Sequence, residues 1–189
     1  MRLVCAALLA TLTVHAAPAV TLVLQFDDAY STQSLAAMKR EVASIVGESG
    51  IKVDWRLRQD VQVSDSFEKM VVVRFRGACA MEQIPQYPDE RGYYAFTHVS
   101  DGEVLPFSEV ECDKVSSSIR PAMSHSQWQQ RDSVFGRALG RVLAHELFHM
   151  LAKSERHAGE GVTRSALSPA QLVAGRLRMS REDREALKR

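Results

Sequence analysis

Along this chain the spacing of apolar and polar positions changes period several times, and each change marks an element. VTLVLQFDDA, residues 20–29, is apolar and β-rich until it meets a turn-prone acidic pair, so it predicts a first strand. Behind it Leu35, Met38, Val42, Ile45 and Val46 return every three or four positions, which puts them on one face of a helix. Ser31 and Ser34 offer hydroxyls to that helix's free N-terminal amides, and Gly47 with Gly50 supplies its stop. IKVDWRLRQ, residues 51–59, alternates as a half-buried strand does, and MVVVRFRGAC, residues 70–79, is a denser apolar run suited to a third strand.

The period then breaks at MEQIPQYPDERG, residues 81–92, where two prolines and a glycine predict a loop. Residues 93–115, YYAFTHVSDGEVLPFSEVECDKV, place aromatic and β-branched side chains on both sides of Asp101-Gly102, a dipeptide favoured in tight hairpins, and so predict two more strands. Pro106 has no amide to give to a ladder, so its strand is expected at an edge or to end early. From about Ser126 to Lys153 a long helical period takes over. At 100° per residue His145 and His149 share one side with Ala138, Val142 and Ala152. Gly136, Gly140, Leu143, Leu147 and Met150 occupy the other, which is expected to pack closely on the sheet. Ser168-Pro169 and Ser180 with Asp183 mark the starts of two short helices, the last of them charged and solvated. The sum is an α+β domain: a mixed sheet, one N-terminal helix, one long helix and short C-terminal helices.

Charge and composition narrow the partners. The formal net charge of the 189-residue chain is +1, with Lys and Arg spread along it and no basic stripe among aromatics, which argues against nucleic acid. Arg2 precedes an apolar run, LVCAALLATLTV, that ends in the small residues of VHAAPA, the pattern of a secretory signal peptide. Cleavage is expected near Ala16 or Ala17. That leaves a single domain over residues 18–189, in a secreted or periplasmic protein with no membrane partner. The mature chain would then begin almost at its first strand, with no upstream segment to hold an inhibitory cysteine. In such an oxidising compartment Cys79 and Cys112, the two cysteines left once Cys5 is removed, are expected to form a disulfide.

Chemistry concentrates in HELFHMLAKSERHAGEG, residues 145–161. Imidazoles at i and i+4 stand one helical turn apart, close enough for both to reach one zinc ion at roughly 2.0–2.1 Å. Glu146 follows the first of them, where a carboxylate can take a proton from zinc-bound water without ligating the metal. A catalytic zinc takes three protein ligands and keeps one position open. His157 is the leading third candidate, since it follows the helix and Gly159 with Gly161 lets the chain turn back. Glu155, two residues nearer, is the alternative, and His98 and His125 are more distant ones.

These residues resemble the zinc-binding helix and turn of the zincin metallopeptidases, above all the metzincins with their HExxHxxGxxH signature. The strand-helix-strand-strand order before the helix is similar to the metzincin N-terminal subdomain. The resemblance implies a zincin-like domain in which His145 and His149 bind Zn2+ and Glu146 is the general base. The chain departs from the signature at Ala152, where the family has glycine, and at Glu155, the usual third-ligand position, with His157 two residues later. Alanine disfavours a left-handed turn, so the helix is expected to run on and deliver its ligand late. No methionine turn is located; Met150 and Met179 read as core or boundary residues. The expected function is a secreted zinc metalloendopeptidase acting on a peptide or protein substrate, against the alternative of an exported zinc-binding protein of the same fold without turnover.

Overall fold

The computed structural model describes residues 19–81 and 92–188, so the expected signal peptide, Cys5 and most of the 81–92 loop lie outside the described residues. The strands are β1 (Ala19–Phe26), β2 (Lys52–Leu57), β3 (Met70–Arg76), β4 (Ala95–Ser100) and β5 (Glu103–Glu111). Among the described residues they form one five-stranded sheet in the order β2-β1-β3-β5-β4. The first three neighbour pairs are parallel and β4 runs antiparallel to β5 at the edge. The helices are α1 (Thr32–Gly47), α2 (Cys112–Ile119), α3 (His125–Gln129), α4 (Arg131–Ala152), α5 (Pro169–Val173) and α6 (Arg181–Ala186). This is the α+β arrangement that the patterns predict.

Register explains which face is covered. Leu22 pairs with Val71 and Leu24 with Val73, while Phe75 pairs with Val110, and all six are buried in one core with Met38, Val42 and Ile45 of α1 and Phe135, Leu139 and Leu143 of α4. Alternate positions point the other way and carry charge. There Arg74 donates to Asp27 at 2.9 Å and Arg76 meets Glu109 at 3.3 Å. Among the described residues α1 and α4 cover one face of the sheet and these ion pairs lie on the other, which is how a half-covered sheet meets water.

Several expectations change in detail. Gly136 and Gly140 pack on α1 rather than on the sheet: a Cβ at Gly136 would stand 2.1 Å from the Ser34 carbonyl oxygen, and one at Gly140 2.7 Å from the Glu41 Cβ. The long helical period is broken at Gln130 (φ −112°, ψ 28°), where α3, boxed by Ser124 and Gln127, hands over to α4. Cys112 to Val115 is not strand. Cys112, Val115 and Ile119 recur at helical spacing and are buried as one face of α2. The strand carrying Pro106 is neither at the edge nor short. Its ladder to β3 starts only at Phe107, and its pairing with β4 shifts between Thr97 and Val99, so the missing amide falls at an irregularity where no bond is required.

Cys79 and Cys112 form the expected disulfide, tying the exit of β3 to the start of α2. Arg141, fully buried inside α4, donates to Glu41 at 2.8 Å, to the Leu172 carbonyl at 3.2 Å, to the Gly175 carbonyl at 2.9 Å and to the Gln171 carbonyl. It thereby satisfies the last carbonyls of α5, which a five-residue helix leaves open. No described helix is long and apolar enough to cross a membrane.

Candidate metal centre

Two elements deliver the three histidines. His145 and His149 project from α4 one turn apart, and their rings meet edge to face with centroids 4.8 Å apart. His157 arrives from the loop after the helix, its ring 5.1 Å from that of His145 and 4.8 Å from that of His149. One nitrogen of each ring lies within 4.8 Å of the other two. This is the trio of metal-ligating groups that the fold assembles among the described residues. Glu155 borders the same cleft but is not one of the converging groups. His98 lies between the rings of Phe96 and Phe107, and His125 begins α3, so neither joins the trio.

The ring nitrogens facing away from the cleft decide what the others can do. His145 Nδ1 lies 2.9 Å from the Val162 carbonyl and His149 Nδ1 2.6 Å from the Ser154 carbonyl. A carbonyl only accepts, so each Nδ1 carries the proton and each neutral ring is left with a bare lone pair on Nε2. Those two Nε2 atoms face each other at 3.0 Å. Two lone pairs at that distance repel unless a proton or a cation stands between them. The proton is poorly held: burial, with His149 and His157 nearby, lowers the His145 pKa to about 4, and burial lowers that of His149 as well. A tetrahedral zinc with bonds of about 2.0–2.1 Å needs ligand nitrogens about 3.3 Å apart, close to this spacing. The donor set fits a metal ion, and each α4 histidine has an outer hydrogen bond of the kind that metal-binding imidazoles use for orientation.

Glu146 stands beside the trio, buried, with Oε2 accepting a 2.7 Å hydrogen bond from the Thr97 hydroxyl. Burial pushes its pKa up to about 7, while the Thr97 and Ser108 hydroxyls act the other way. Thr97 pairs with Ser108 across β4 and β5, which puts both on the helix side of the sheet. Alternation along β4 turns Thr97 to the face opposite its neighbour His98, but the partner it meets there is set by the folded register. The cleft itself, about 630 Å3, runs between β4 and the loop 164–167, with Tyr94, Phe96, Val142 and Leu167 on its walls.

No family model, curated protein or solved structure matches this chain. The site therefore rests on its own geometry.

The turn that follows α4 differs from expectation. The helix does not run on past Ala152. Lys153 itself adopts the left-handed conformation, φ 50°, and caps α4 with its amide on the His149 carbonyl. Ser154 adds a second amide to the same carbonyl at 3.2 Å and returns its own carbonyl to the His149 ring. The delay to His157 is thus spent in Ser154–Arg156 after the turn, not in extra helix. Met150 and Met179 are both buried in the core, as expected. The last helix is more than a solvated face. Asp183 on α6 is fully buried and tied to this loop, a role that its place three residues after a capping serine does not announce.

Proposed function

We propose that this protein is an exported zinc-dependent peptidase with a metzincin-like site, in which His145, His149 and His157 hold the ion and Glu146 transfers protons. The observation that carries this reading is the pair of bare Nε2 atoms 3.0 Å apart with His157 beside them. Zinc, when bound, would supply a Lewis acid able to polarise a carbonyl and acidify water. The chain contributes the rest. Burial keeps the helix imidazoles neutral, the form that ligates. Glu146, with its pKa near neutrality, suits both halves of a base-then-acid sequence, taking a proton from water and giving it to a leaving amine. Thr97 fixes the direction of that carboxyl.

An open cleft with aromatic and aliphatic walls, bordered by the edge strand β4, suits an extended peptide, since an edge offers unpaired backbone groups. The Cys79–Cys112 disulfide fits the oxidising compartment to which the expected leader would send the chain.

The test is metal content and turnover on the same preparations. Wild-type protein and Glu155→Ala are expected to carry one zinc per chain by elemental mass spectrometry, and His157→Ala to lose it. Glu146→Gln is expected to keep zinc while hydrolysis of a mixed peptide library falls by roughly 10²–10⁴-fold. Folded wild-type protein without zinc rejects the metal site. Zinc with no turnover in wild type favours the binding protein over the enzyme, and full turnover in zinc-loaded Glu146→Gln rejects the proton-transfer role.

A further inference from the structure

The third histidine and the carbonyl that orients the first both lie in residues 154–168, a stretch with almost no regular structure. Its one ladder contact is the bridge between Ala158 and Arg164. Something outside the stretch must fix it. Asp183 does so from α6: Oδ1 accepts from Arg156 Nη2 at 2.7 Å, and Oδ2 accepts from the Ser180 hydroxyl at 2.7 Å and from the Thr163 hydroxyl. Arg156 immediately precedes His157. Thr163 immediately follows Val162, whose carbonyl accepts a hydrogen bond from His145 Nδ1.

Backbone bonds close the frame around these contacts. The Ala158 amide donates to the Thr163 carbonyl at 3.0 Å, and the Val162 amide donates to the Arg178 carbonyl at 2.9 Å. Gly161 permits that approach, with φ 77° and no Cβ to strike the Arg178 oxygen, 2.5 Å from where one would stand. Arg156 also lies over the ring of Phe148, inside HELFH itself. One buried carboxylate therefore grips the chain on both sides of His157 without a hydrogen bond to a histidine.

We propose that Asp183 is a positioning residue for the metal centre: through Arg156 it sets where the His157 ring stands, and through Thr163 it holds the Val162 carbonyl that aims His145. This rests on the metal-site reading. A carboxylate suits the task better than an apolar anchor, because charge-assisted bonds are directional where apolar contact is not.

Cobalt titration of the mature protein, read by its visible ligand-field band, tests the proposal in wild type, Asp183→Asn and Arg156→Ala. Asp183→Asn is expected to weaken cobalt binding about 10–100-fold and to change the band, as loss of a fixed ligand would. Arg156→Ala, at a half-exposed side chain, is expected to move both in the same direction by less. Gly136→Ala, which strains the far side of α4, is expected to lower stability while keeping affinity and band, separating positioning from general destabilisation. In metal-free Asp183→Asn, hydrogen exchange at the Ala158 and Val162 amides should quicken relative to α4. Wild-type affinity and band in folded Asp183→Asn overturn the inference. If Asp183→Asn does not fold, the same result in Arg156→Ala overturns it. Wild-type protein that binds no cobalt overturns the metal-site reading and this inference with it, whereas equal binding by all variants overturns this inference alone.

Discussion

His145 and His149 stand on a helix held by apolar packing, and His157 stands in a stretch held by polar bonds. Around the first two, α4 packs against α1, β4 and β5, with Phe135, Leu139, Leu143 and Leu147 buried and two glycines letting the helix backbones touch. Around the third, the buried members of the loop are few, Val162, Thr163 and Leu167, and the hold comes from Asp183 and Arg156. The difference follows from what each force can do. Apolar packing is non-directional and fixes where a helix lies, and one helix face then presents two histidines. The third histidine reaches them from another direction, out of a loop that directed hydrogen bonds hold.

The apolar side of this comparison should break hardest. Cys79 and Cys112 close a loop with a sequence separation of 33, and on the loop-entropy model their bridge contributes about 4 kcal/mol. Cys79→Ser with Cys112→Ser is expected to lower the urea midpoint accordingly, with little change in metal affinity, since neither cysteine touches the trio. Gly136→Ala comes next. Its methyl group meets the Ser34 carbonyl, and overpacking of this kind costs about 1–3 kcal/mol even though alanine is the better helix former. Urea unfolding that leaves Gly136→Ala as stable as wild type would remove the close crossing from the account.

How much of this is legible in the residues follows the same division. The strands, α1 and the histidine face of α4 are written in periodicity, because burial repeats with the backbone. His145, Glu146 and His149 are legible because a helix converts sequence spacing directly into distance. His157 against Glu155 could not be decided from spacing, because outside a helix two residues of offset carry no fixed direction. Lys153, a long side chain at φ 50°, replaces the glycine that a turn signal looks for. Asp183 and Thr97 act across large sequence separations, and only a folded register brings them to the site. The helix α2 was hidden because Glu111 and Cys112 continue a strand-like run until Val115 and Ile119 reveal the longer period.

Acid should sharpen the contrast within α4 itself. In the metal-free protein the His145 pKa falls from 6.5 to about 4, so the unfolded chain binds more protons and stability is lost as pH drops from 6.5 toward 4; His149 shifts in the same direction. Glu146 is opposite. Its pKa rises from 4.5 to about 7, so the folded state binds more protons and stability is gained as pH drops from 7 toward 4.5. The effects oppose each other between pH 4.5 and 6.5. Glu146→Gln should therefore lose stability more steeply on acidification than wild type, by up to about 1.4 kcal/mol per pH unit, measured by urea unfolding with chelator present. Parallel pH profiles for the two proteins would show that Glu146 titrates as an exposed carboxylate does.

The smallest effect lies where the two regions join, at Lys153. Its left-handed backbone costs a side chain with a Cβ about 1 kcal/mol, while its ammonium donates to the Val104 carbonyl at 2.8 Å, a contact worth about 1 kcal/mol. Lys153→Ala keeps the strain and loses the bond, so it should be less stable than wild type by about 1 kcal/mol. Lys153→Gly relieves the strain while losing the same bond, so it should lie within about 0.5 kcal/mol of wild type. The gap between the two variants, read as urea midpoints, isolates the conformational cost of turning the chain without glycine. Because the turn also aims the Ser154 carbonyl at His149, Lys153→Gly should bind zinc more weakly if stiffness at residue 153 matters to the site, even with its stability unchanged. Equal zinc affinity in Lys153→Gly and wild type would assign the hold on this loop to its far end, where Asp183 grips Arg156 and Thr163.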